Sequence, residues 1–161
     1  MSTSAEGNPG DPHHGDRYPG DAFPRVKGRL RCGPFSVQKL AEEFGTPLYL
    51  YSMDDIRARL LAVQEAFAPA DPLIAYSVKA NGNLAILNRL GAQGSGADIV
   101  SGGELFRARK AGITPGKILF AGVGKTDEEL RAGLEAGIAR LTATAPRGRL
   151  ASLEVRECSI W

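Results

Sequence analysis

The sequence predicts an α/β fold, a partial (β/α)8 TIM barrel of about the first four to five βα units, behind a disordered N-terminal tail. Three observations predict it. Helix-like and strand-like segments alternate from residue 35 onward. Strand starts at residues 48, 73, 97, 118 and 139 are separated by 25, 24, 21 and 21 residues, the period of a βα unit with short loops, and such a repeat builds a parallel sheet. One of the strands also has a small, polar face. At 161 residues the chain is shorter than the roughly 200 to 250 residues of a closed barrel.

Residues 1–24 are expected to be disordered, because prolines and glycines crowd this stretch and few large apolar residues are present to bury. His13 and His14 lie in this tail without carboxylates or cysteines nearby, so a solvated tail is the better reading than a metal site. Ser36 caps a helix through Phe44, with Val37, Leu40, Ala41 and Phe44 on one face and Gly45 as its stop. Leu48 to Tyr51 reads as a strand, and Ser52 with Asp55 has the spacing of a capping box opening a helix to about Phe67. Leu73 to Lys79 is a second strand, followed by a helix from Asn83 to about Leu90. Ala97 to Ser101 is a third strand, and Gly103 to Ala111 a helix ended by Gly112. Ile118 to Ala121 is a fourth strand. Thr126 and Glu129 again have capping-box spacing at the start of a helix to Ala136, and Ala139 to Thr142 begins a fifth strand. The expected division is a tail (1–24), a barrel portion (25–140) and an atypical terminal stretch (141–161).

The second strand favours a barrel over an open, doubly wound sheet. Side chains alternate across a strand, so Ala75, Ser77 and Lys79 share one side while Ile74, Tyr76 and Val78 share the other. Helices covering both faces demand apolar residues on both, whereas a small, polar face ending in an amine suits a barrel interior with a ligand at its mouth.

Composition narrows the function classes. With 43% hydrophobic and 24% charged residues the chain can bury a core. A net charge of +2 with both signs interspersed gives no footprint for nucleic acid and no basic stripe for a membrane surface. No apolar run approaches the ~18 residues of a membrane span, and the first residues lack the basic and apolar regions of a signal peptide, so a cytoplasmic location is expected. Cys32 and Cys158 are too far apart in unrelated contexts for a zinc motif or disulfide framework and read as free thiols.

Lys79 is the most informative position. It ends a strand where barrel enzymes place reacting groups, and Ala80-Asn81-Gly82-Asn83 follows as a turn. A lysine there is either a snorkelling surface residue or a Schiff-base lysine whose neutral amine is favoured by partial burial. Asp98 lies within a strand, where a carboxylate is expensive unless partnered; Glu104 follows Ser101-Gly102-Gly103 at a helix start, where it can equally be a favourable N-terminal charge. Both can face Lys79 from the neighbouring strand. Gly122-Val-Gly-Lys-Thr126 resembles the end of a P-loop, but Leu119 stands where the first glycine is required, which leaves only a weak hint of anion binding. Gly94-Ser-Gly96 fails as a dinucleotide fingerprint at Ile99.

Three segments in order, Tyr76-Ser-Val-Lys-Ala-Asn81, Gly96-Ala-Asp-Ile-Val-Ser-Gly-Gly-Glu-Leu105 and Gly122-Val-Gly-Lys-Thr-Asp-Glu-Glu-Leu130, resemble diaminopimelate decarboxylases, and Glu42 to Ser52 looks like the same family. The likeness covers about residues 24–140. Those enzymes are fold-type III pyridoxal-phosphate decarboxylases with an N-terminal TIM barrel and a C-terminal β-domain. The resemblance implies that Lys79 carries pyridoxal 5'-phosphate covalently, that Asp98 and Glu104 match carboxylates near that lysine, and that meso-diaminopimelate is decarboxylated to lysine. A small-molecule amino-acid substrate and a homodimer are implied for the full-length family. Ser77 stands where many relatives carry alanine. Ornithine, arginine and carboxynorspermidine decarboxylases are the neighbouring alternatives; a racemase-like protein is disfavoured by the Ser101 to Glu104 and Gly122 to Lys125 segments.

After Ile138 the family continues through further barrel strands, whereas Leu141 to Trp161 loses the βα period, as a frameshifted or prematurely stopped reading frame does. The later loops, which the resemblance expects to hold the cofactor phosphate and ring, have no counterpart here, so a non-catalytic remnant stands beside the enzyme reading.

Overall fold

The computed structural model describes residues 22–142. The expected N-terminal disorder, the two histidines, Cys158 and the atypical terminal stretch lie wholly or almost wholly outside these residues. The chain divides into two compact units, with the boundary along the sequence between Ala62 and Val63.

The first unit opens with three short antiparallel strands, β1 (Arg25–Val26), β2 (Arg29–Cys32) and β3 (Phe35–Ser36), in that spatial order. Both connections are two-residue loops. Lys27 and Gly28 lie at φ +51° and +77°, the left-handed pair that the right-handed strand twist selects in a tight hairpin, and Gly33 at φ +54° opens the second turn. Helix α1 (Val37–Phe44) follows directly. The Ser36 side chain accepts from the Lys39 amide, and Gly45 at φ +81° ends the helix by donating its N–H to the Ala41 carbonyl. Helix α2 (Met53–Phe67) starts as expected, with the Asp55 amide donating to the Ser52 hydroxyl at 3.3 Å. The expected strand at Leu48–Tyr51 is not formed; an extended segment becomes a strand only by pairing, and these residues make no ladder among the described residues.

The second unit is the βα repeat. Strands β4 (Ala75–Ser77), β5 (Gly96–Ile99), β6 (Ile118–Phe120) and β7 (Arg140–Leu141) form one parallel sheet in chain order. Helices α3 (Leu84–Ala92), α4 (Gly102–Lys110) and α5 (Asp127–Glu135) connect them. Each helix is opened by a side-chain cap, from Asn83, Ser101 and Thr126 in turn. A cap of this kind contributes about 1 kcal/mol.

The sheet register sorts its side chains into two sets. Ala97, Ile99, Ile118, Phe120 and Leu141 are buried in one core together with Leu87, Leu105, Ala108 and Leu130 from the three helices. Fully burying the Leu, Ile and Phe side chains among these contributes roughly 1.5 to 3 kcal/mol each. By alternation, Ala75, Ser77, Gly96, Asp98, Leu119 and Arg140 line the opposite face, which no described helix of this unit covers. Helices on one face and, Leu119 apart, small or polar residues on the other are the arrangement of a barrel wall, not of a doubly wound sheet.

Candidate active site

Strand β5, the turn after β4 and the first turn of α4 hold the predicted site residues Asp98, Lys79 and Glu104 in that order. Strand β4 stops at Ser77, two residues earlier than expected, and Val78–Ala80 form a 3₁₀ turn. Val78 is buried in the core (1% exposed), and the turn that seats it interrupts the alternation that was expected to continue to Lys79. Lys79 thus stands in the middle of a turn at the C-terminal edge of β4, and it is exposed. The expected partial burial is not found, and among the described residues no helix of the second unit covers that face of the four-stranded sheet.

Asp98 is half-buried on β5, directly opposite Ser77 in the ladder, and its Oδ2 accepts the Ser77 hydroxyl at 3.2 Å. Ser77 gives the strand carboxylate the partner that its burial requires. Glu104 is occupied otherwise. Its Oε2 accepts the Val100 N–H at 2.8 Å while its own N–H donates to the Ser101 hydroxyl at 3.2 Å, a reciprocal cap at the start of α4. Among the described residues neither carboxylate forms an ion pair with Lys79. The structure therefore brings Asp98 and Ser77 together and directs Glu104 to the backbone.

Two features of the rim were not foreseen. Lys125, read as a weak anion-binding candidate, donates to the carbonyls of Gly122 (2.6 Å) and Thr142, and its ammonium lies 5.1 Å from the centre of the Phe120 ring. It is tied to the protein rather than presented to an anion. Glu129 completes the Thr126 capping box with Oε2 on the Thr126 N–H at 3.0 Å, and its Oε1 also accepts the Gly102 N–H at 2.8 Å. These Gly102 and Thr126 amides hold the Glu129 carboxyl below its ordinary range, with smaller help from the Thr126 hydroxyl and the Lys125 charge and against a small opposing effect of burial. The capping spacing was legible, but the bond to Gly102 spans 27 residues and leaves no local signal. With Glu104 and Glu129 on these amides, the starts of α4 and α5 face negative charge, which disfavours a phosphate there.

Among the described residues no cluster of three or more His, Cys, Asp or Glu is placed to hold a metal ion, and no helix is long and apolar enough to cross a membrane. Residues 53–149, more than half of the chain, match the family model of the pyridoxal-dependent decarboxylases, pyridoxal binding domain. The chain belongs to that family. Pyridoxal-dependent decarboxylases similar to it include the diaminopimelate decarboxylase of Aquifex aeolicus (strain VF5), 50% identical over 111 residues, covering 69% of this chain and 26% of the relative. That of Neisseria meningitidis serogroup B is 48% identical over 109 residues, covering 68% and 26%. Among solved structures, diaminopimelate decarboxylase from M. jannaschii in complex with L-lysine superposes with a TM-score of 0.73 at 39% identity, covering 76% of this chain and 30% of that one. The chain spans about a quarter of the length of the curated relatives it matches. Membership of the pyridoxal-dependent decarboxylases agrees with the barrel-wall architecture and with pyridoxal phosphate as the family's cofactor.

Proposed function

We propose that this chain is the cofactor-binding barrel portion of a pyridoxal-phosphate-dependent decarboxylase acting on meso-diaminopimelate, with lysine and carbon dioxide as products. The observation that carries the reading is a lysine, Lys79, at the C-terminal end of a parallel strand whose neighbour bears a half-buried, hydrogen-bonded carboxylate, in a chain about half identical to enzymes of that name.

The residues present fit the cofactor in two respects. Lys79 is open to a bulky aldehyde, and the strand face leading up to it carries only the small side chains of Ala75 and Ser77. When bound, pyridoxal phosphate supplies the electron sink into which the bond to the departing carboxylate empties. The chain's own part begins with Lys79, whose ammonium must lose a proton before its nitrogen can attack a carbonyl carbon. Asp98 offers a fixed negative charge on the same rim, oriented by the Ser77 hydroxyl, to balance the lysine whenever it is protonated. Glu104 acts through the backbone by fixing the turn after β5.

Incubation with pyridoxal phosphate, reduction with borohydride and peptide mapping tests the reading. Lys79 should be modified well ahead of the exposed Lys27, Lys39, Lys110 and Lys117; equal labelling of all five would overturn it. The exposure of Lys79 favours a second reading for the 161-residue chain by itself, a remnant that takes up cofactor without turnover. Carbon dioxide release from meso-diaminopimelate by the isolated chain would refute that second reading.

A further inference from the structure

We propose that Glu129 is a positioning residue for the Lys79 rim, locking the turn after β5 to the turn after β6 so that Asp98 and Ser77 are held in register beside the lysine. The inference rests on the reading of Lys79 as the cofactor lysine. A capping box needs only one carboxylate oxygen, and Glu129 Oε2 fills that role on the Thr126 N–H. The second oxygen does something a cap does not require. It crosses to the Gly102 N–H at 2.8 Å, so one side chain closes the first turn of α5 and the first turn of α4 together.

The residue opposite is shaped for this approach. A Cβ on Gly102 would stand 3.3 Å from Glu129 Cγ and 3.5 Å from Oε1, so a side chain there would require the Glu129 side chain to shift. A second close contact joins the same two turns: Gly122, at φ +91°, comes so near Val100 that a Cβ on it would lie 3.3 Å from the Val100 Cβ. Val100 N–H is in turn held by Glu104. The segment Val100 to Gly102 is thus pinned at both ends, immediately after the strand that carries Asp98. Asp98 grips Ser77, two residues before Lys79. The path from Glu129 to the lysine runs through Gly102, β5, Asp98 and Ser77.

The test uses the full chain and the variants E129A, E129Q, G102A and E129A/G102A. The dissociation constant for pyridoxal phosphate is measured by absorbance titration, with the adduct mapped to Lys79 after reduction, and thermal midpoints and circular dichroism are recorded for each. E129Q is isosteric and serves as the probe where E129A does not fold. It retains an acceptor for Gly102 but sets an amide donor against the Thr126 N–H, and should bind between wild type and E129A. E129A is expected to weaken binding about tenfold or more, since small misplacements at a reacting centre act on that scale. The double variant should bind no more weakly than E129A, because both changes break the same link. The Gly102 amide resonance should follow the ionisation of Glu129 in wild type and lose that pH dependence in E129Q. Unchanged binding in both folded Glu129 variants, with the adduct still on Lys79, would overturn this inference alone. Absence of the Lys79 adduct in wild type would overturn the cofactor reading and this inference with it.

Discussion

Ser77 on β4 donates its hydroxyl to Asp98 on β5 across 3.2 Å, and the two residues are direct ladder partners in the parallel sheet. A half-buried strand carboxylate is thereby given a hydrogen-bond donor by its ladder neighbour. Removing the hydroxyl leaves the carboxylate without this donor, which is the costly way to break a hydrogen bond. We expect Ser77→Ala to lower stability by about 1 kcal/mol, and Ser77→Ala with Asp98→Ala to show a coupling of about 0.5 to 1.5 kcal/mol in urea unfolding. Strictly additive effects would show that the contact contributes nothing.

Lys79 is exposed and makes no ion pair with Asp98 or Glu104. Replacing it should therefore leave folding alone while removing the cofactor. Lys79→Ala is expected to change stability by no more than about 0.5 kcal/mol and to abolish the borohydride-stable adduct at that position. A large loss of thermal stability would point to a structural lysine instead.

The carboxyl of Glu129 is held below its ordinary value by the Gly102 and Thr126 amides. A carboxyl depressed in the folded state contributes stability that is complete above its unfolded value and disappears as the pH falls through the folded one. The stability difference between wild type and Glu129→Gln should accordingly be flat above the ordinary carboxylate value of 4.5 and shrink below it. The group is partly exposed, so added salt should reduce the effect. Urea midpoints across pH for the two proteins, at low and high salt, measure it.

Gly96 begins β5 where the Lys117 carbonyl lies against its Cα, so that an added Cβ would overlap that backbone oxygen and crowd the Leu73 side chain at 3.2 Å. A backbone atom cannot swing aside as a side-chain tip can. Gly96→Ala is expected to destabilise the second unit by about 1 to 3 kcal/mol, the range for overpacking. Denaturant unfolding checks this, and a neutral result would mean that β5 and β6 can separate locally.

Much of the repeat was legible because each βα unit states itself locally. Ser36, Ser52, Asn83 and Thr126 sit where their side chains cap the next helix, and Gly45 and Gly112 supply the positive φ that ends one. The polar face of β4 likewise pointed correctly to a sheet covered on one side. The three antiparallel strands of the first unit were missed although Lys27-Gly28 and Gly33-Pro34 are hairpin signals; strands of two to four residues are too short to show alternation. Lys79 was placed on a strand because nothing local reveals that burying Val78 ends it. The capping role of Glu129 and the helix-start reading of Glu104 were legible from spacing, whereas the bond from the Gly102 amide to Glu129 was not: whether a carboxylate oxygen turns to solvent, to a lysine or to a distant amide is decided by the fold.

The single-sided cover of the parallel sheet has a consequence for how such a sequence can change. Consecutive residues of β5 answer to separate demands: Ala97 and Ile99 are fully enclosed against the helices, while Asp98 between them looks the other way. Chemistry can be rewritten at every second position without disturbing the packing that keeps the wall upright, so divergence in what a relative accepts and conservation of its architecture can proceed side by side along one strand.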